Sequence, residues 1–146
     1  IIAEEARMEC EVRGQTTELM EYMWDETGRV VDAAADMHDV DAARTRNCRA
    51  PSAESDAELA AVVADVAEGV EGVDSIMDHD DLGGSEDATY LMNRVQEQGG
   101  KACYVGLGTD HPGGHHTPTF DVDEASLAIG VETLAGAIVA LGEDRA

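Results

Sequence analysis

The chain has 146 residues, 43% of them hydrophobic, with 32 acidic residues against 9 basic and a formal net charge of -23. That length can bury a modest core, while the charge excludes nucleic acid and anionic membrane surfaces as partners, since both demand Lys and Arg and Lys101 is the sole lysine. The acids are interleaved with apolar residues, which excludes a disordered acidic tail and points to a halophilic protein whose self-repulsion fades when salt shortens the Debye length to ~3 Å near 1 M.

In chain order, Arg7-Met8-Glu9-Cys10-Glu11-Val12-Arg13 alternates polar and apolar and predicts a half-buried strand with Met8, Cys10 and Val12 on one face. From Thr17 to about Met37 the residues Leu19, Met20, Met23, Trp24, Thr27, Val30, Val31 and Ala34 recur at helical spacing and predict an amphipathic helix. Residues 43–48 read as an edge strand because Arg44 and Arg46 alternate along them. Pro51-Ser52-Ala53 marks a boundary. Ser55-Asp56-Ala57-Glu58 has the form of a capping box opening a helix with Leu59, Val62, Val63, Val66 and Val70 on its packing face.

Ser75-Ile76-Met77 is a short strand candidate, and His79-Asp80-Asp81 reads as a solvated turn. Gly83-Gly84 lets the backbone turn into a helix beginning at Ser85, with Glu86 and Asp87 in its first turn, where the helix dipole favours anions. Ala88, Leu91, Met92 and Val95 are its predicted buried face, and Gly99-Gly100 stops it. Residues 102–107 form a continuous apolar run, as in a strand covered on both faces. Asp123 caps a last helix in which Leu127, Val131, Leu134, Ile138 and Leu141 repeat at three and four. Cys10, Cys48 and Cys103 are odd in number without a Cys-x-x-Cys spacing, and read as reduced thiols of a cytoplasmic protein. No signal-peptide pattern is visible, and no apolar run approaches the ~20 residues of a membrane span.

Three of the five histidines, His111, His115 and His116, fall within six residues beside Asp110 and Asp121. Imidazole and carboxylate are the donor set of divalent zinc or manganese, although a catalytic zinc site needs about three protein ligands and adjacent residues seldom all reach one ion. The spacing alone leaves both a metal site and a solvated turn open. In favour of a site, ligands of open α/β sheets gather outside the carboxyl ends of strands, and this loop follows the predicted strand 102–107. A nucleotide loop is excluded at Gly106-Leu107-Gly108, where His111 takes the third glycine position.

The runs Gly84-Ser85-Glu86-Asp87-Ala88, Tyr90-Leu91-Met92, Tyr104-Val105-Gly106-Leu107-Gly108-Thr109 and His115-His116-Thr117-Pro118-Thr119-Phe120-Asp121-Val122-Asp123-Glu124 resemble the C-terminal portion of the aminoacylase-type metallopeptidase family. The similar branch is that of hippurate, indole-acetyl-amino-acid and p-aminobenzoyl-glutamate hydrolases. The resemblance implies an α/β fold, the C-terminal part of a zinc-peptidase-like helix/sheet/helix catalytic domain over 51–146, preceded by a β-α-β remnant of an α+β lid, or dimerisation, domain over 1–50. It also implies a two-ion zinc or manganese centre in which His116, four residues before Phe120, is the last ligand. His115 is then a neighbour rather than a ligand, and Ser85, Glu86, Asp87, Asp110, His111 and His115 form a supporting shell for metal or substrate. No catalytic residue falls within the chain, because the family's general base and remaining ligands lie upstream of these motifs. The implied reaction is hydrolysis of the amide bond of a small N-acyl or N-aroyl amino acid, by a homodimer joined through the lid or by association with the preceding part of the polypeptide. The alternative is a catalytically incomplete homologue acting as an interaction or metal-holding module.

Overall fold

The computed structural model describes residues 3–83, 86–109 and 113–143. Four helices run through them: α1 Thr17–His38, α2 Ala57–Ala67, α3 Ala88–Glu97 and α4 Ala125–Glu143. The chain divides into two compact units, Ile1–Ser52 with Gly83–Thr89, and Ala53–Leu82 with Tyr90–Ala146.

In the first unit, α1 begins where the Thr16 hydroxyl accepts from the Leu19 N–H at 3.2 Å and ends at Asp39, whose left-handed φ of 52° turns its N–H back onto the last carbonyls. The segment that follows lies along α1 and is held by arginines. Arg44 pairs with Asp32 at 2.9 Å, and Arg46 and Arg49 both reach Glu21, at 3.0 and 2.7 Å. The Arg46 guanidinium also covers the Trp24 ring at 4.2 Å, a cation–π contact. Its hydrogen bond is the main reason the Glu21 carboxyl sits below the ordinary carboxylate range. Gly28 is buried beneath this segment, and a Cβ there would collide with the Arg44 guanidinium. Ser52 closes the arrangement, its N–H donating to Thr17 Oγ1 at 2.8 Å while its own Oγ accepts from the Thr17 N–H at 3.0 Å.

The predicted strands are the main correction. Among the described residues there is no β-ladder, so 7–13, 43–48, 75–77 and 102–107 are not paired as sheet, and the α/β reading is not confirmed by this architecture. The first of them keeps the local geometry of a strand: Arg7 meets Glu9 and Arg13 meets Glu11 at a spacing of two, which extended backbone brings to one side. Yet Met8 is 78% exposed. Alternation specifies a face, whereas a strand exists only with a hydrogen-bonding neighbour.

In the second unit, the side chains expected to form a capping box are used elsewhere. Asp56 is the N-cap residue of α2 but makes no side-chain cap bond. Its carboxylate instead accepts from the Ala102 N–H and from Gln96 Nε2, both at 2.8 Å, and its own N–H donates to the Ala102 carbonyl at 2.8 Å. Ser55 Oγ accepts from the Tyr104 N–H at 2.9 Å, and Glu58 pairs with Lys101. Two residues ahead of α2 thus stand in for a strand neighbour along 102–104. The hydrogen bonds from Gln96 first, then from Ala102, hold the Asp56 carboxyl below its usual range. A carboxylate depressed in this way stabilises the fold above its unfolded pKa and loses that contribution as the pH falls through the folded value. Asp56→Asn is therefore expected to lower the thermal midpoint at neutral pH and to flatten the loss of helix below about pH 4. Parallel circular-dichroism titrations of the two proteins would show this, and coincident curves would count against the assignment.

Helix α4 packs on α2. The close approach is at Gly136, where a Cβ would lie 2.6 Å from the Val66 side chain; elsewhere on α4 the small residues Ser126, Thr133 and Ala137 are buried. The face predicted to be the core is the one left open, with Leu127, Val131, Leu134 and Ile138 between 51% and 71% exposed. Similarly, Met92 of α3 is buried but Leu91 and Val95 are exposed. By length and composition α4 could cross a membrane, which corrects the expectation that no apolar run approaches that length; Glu132 interrupts its middle. Two separately folded units of this total mass would expose only about 9,000 Å², whereas the chain exposes 12195 Å². Many large apolar side chains therefore have no cover among the described residues.

Candidate functional site

The loop ahead of α4 carries the candidate ligand, and it is closed by short local contacts. Thr117 Oγ1 donates to the Gly114 carbonyl at 2.7 Å and lies 3.3 Å from Thr119 Oγ1. The Phe120 N–H donates to the Thr117 carbonyl at 3.1 Å. The loop then joins α4 through Asp123, whose carboxylate accepts from the Ala125 N–H at 3.0 Å and whose carbonyl accepts from Ser126 Oγ at 2.6 Å. This is the capping role expected of Asp123.

At the centre of the loop, His116 adopts φ 59°, the left-handed region that non-glycine residues seldom occupy and that clusters at functional positions. His116 is exposed, and its imidazole makes no hydrogen bond or ion pair among the described residues. Beside it, the His115 ring stacks on Phe120, with centroids 5.4 Å apart and planes 29° from parallel. His115, His116, Thr117 and Phe120 line an open hollow of about 340 Å³. Among the described residues, no carboxylate lines it.

Of the other residues singled out by sequence, Ser85, Asp110 and His111 lie outside the described residues. Glu86 and Asp87 belong to the first unit. They were expected inside the first turn of a helix starting at Ser85, but α3 starts at Ala88 and has no acid in its first turn. Glu86 instead works as a cap: its carbonyl accepts from Thr89 Oγ1 at 2.6 Å and its carboxylate from the Ala88 N–H at 3.3 Å.

Among the described residues, no three His, Cys, Asp or Glu side chains come together as a metal site. Among the described residues, the donor set fits one ligand of a divalent centre, the imidazole of His116. The sequence reading missed the His115–Phe120 stack. Its only trace was an aromatic residue five positions after a histidine, across a Thr-Pro-Thr turn.

Comparison with known proteins supplies the wider context. The family profile described as peptidase family M20/M25/M40 matches residues 4–140. The chain is 37% identical over 143 residues to a p-aminobenzoyl-glutamate hydrolase subunit from Escherichia coli (strain K12), and 34% identical over 136 residues to indole-3-acetyl-aspartic acid hydrolase of Enterobacter agglomerans. It is 32% identical over 131 residues to a homolog of that p-aminobenzoyl-glutamate hydrolase subunit from Haemophilus influenzae (strain ATCC 51907 / DSM 11121 / KW20 / Rd). These alignments cover 92%, 92% and 90% of the chain but 31% of each relative. No solved structure matches significantly. With a match running almost from end to end, the chain belongs to the peptidase family M20/M25/M40.

Proposed function

We propose that this chain is part of a metal-dependent amidohydrolase that cleaves the amide bond of N-acyl or N-aroyl amino acids such as aminobenzoyl-glutamate. Its similarity to hydrolases named for such substrates supports the reading. The observation that carries it is a free imidazole held in a left-handed corner at the centre of a clasped loop. His116 contributes one ligand of a zinc or manganese centre, and the remaining ligands and the general base come from polypeptide beyond this chain. When bound, divalent ions polarise the scissile carbonyl. Asp110 and His111, which precede His116 in the same loop sequence, act as its supporting shell. The apolar faces left open on α1, at Leu19, Met23, Val30 and Met37, and on α4 are covered by the rest of the polypeptide or by a second copy.

One observation favours a second reading, a metal-holding or interaction module without turnover: no complete ligand set is found among the described residues. The two separate in one experiment. The 146-residue chain and the complete polypeptide that carries it are assayed side by side with aminobenzoyl-glutamate and hippurate in high salt. Turnover by the complete polypeptide alone is the expected result; turnover by neither, with metal bound, would favour the module.

A further inference from the structure

We propose that His115 is a positioning residue for His116, acting through its stack on Phe120, and is not itself a metal ligand. The proposal rests on the reading of His116 as a metal-holding imidazole. A non-glycine residue at φ 59° persists only where its surroundings over-determine the conformation, and here the flanking contacts do so. Thr117 Oγ1 ties the turn to Gly114 and the Phe120 N–H ties it to Thr117. The largest of the contacts is between rings: the imidazole of His115, 5.4 Å from the phenyl ring of Phe120 and 29° from parallel with it, spans the corner from one side to the other. Offset stacks of this separation are attractive beyond their buried area. The stack engages the His115 ring and leaves the next imidazole in the chain without a partner among the described residues. Two adjacent histidines are thereby given different tasks.

The test uses the complete polypeptide and cobalt(II) as the probe, read by equilibrium dialysis and visible absorption. His115→Ala and Phe120→Leu should each weaken cobalt binding by about 10-fold, the usual effect of removing a group that orients a ligand. His115→Phe, which keeps a ring but no nitrogen, should restore affinity to within about 2-fold of the parent, because only the stack is needed. The double variant His115→Ala/Phe120→Leu should be no weaker than either single one, since both remove the same contact. If His115→Phe binds as weakly as His115→Ala, a nitrogen of His115 is required and the proposal is overturned. Unchanged binding in His115→Ala also overturns it. Should His115→Ala fail to fold, His115→Phe and Phe120→Leu decide by the same criteria. His116→Asn separates this inference from the reading beneath it: full cobalt binding there removes the metal assignment, and this inference with it. Loss there with no change in His115→Ala removes the positioning role alone.

Discussion

Replacing His116 with Asn in the complete polypeptide is expected to lower kcat/KM toward an aminobenzoyl-glutamate substrate by at least about 10³-fold, equivalent to about 4 kcal/mol of transition-state stabilisation. Bound metal should fall with it. Asn is the informative replacement because it tolerates the left-handed backbone that His116 occupies at φ 59° and lacks the imidazole. Alanine would add backbone strain of about 1 kcal/mol and blur the comparison. The fold should be nearly indifferent, because the side chain is exposed and makes no hydrogen bond among the described residues. An unchanged melting temperature with lost turnover is therefore the expected combination. Normal turnover at normal metal content would remove His116 from the centre.

The second large effect concerns salt. With a formal charge of -23, the chain carries a large excess of like charge, and ion pairs that offset it, such as Arg7 with Glu9 or Arg13 with Glu11, are exposed and individually weak. Raising potassium chloride from about 0.05 to about 2 M cuts the Debye length to a few ångströms and should raise the melting temperature by about 10 °C, if screening recovers about 2 kcal/mol. A neutral osmolyte at the same water activity should give a smaller rise. Equal rises would show that preferential exclusion, not charge screening, carries the effect.

The helices were legible in the sequence because a helix satisfies its backbone locally. The Thr17–His38 span of α1 follows closely from its apolar periodicity. Asp123 at the start of α4 was equally readable. The starts of α2 and α3 were less so. Ser55 and Asp56 have the right chemistry for a cap, but their oxygens were drawn to Ala102 and Tyr104, residues some fifty positions away that no local window contains. At the candidate site, the choice of His116 was available from motif resemblance. Its backbone conformation and the engagement of His115 by Phe120 were not, because each depends on contacts across the turn.

What the sequence by itself determined is the existence of the four helices and the overwhelming negative charge, which follow from local pattern and composition, and the family, which the motif resemblance implied. What only the tertiary structure decided is which faces meet. On α4 the small residues Ser126, Thr133 and Ala137 are buried and Gly136 closes onto Val66 of α2, while the large apolar stripe stays open. Periodicity can mark a helix face as apolar, but close approach of two helices is governed by side-chain size at the crossing, and burial of the other face requires a partner that the periodicity of one chain segment does not name.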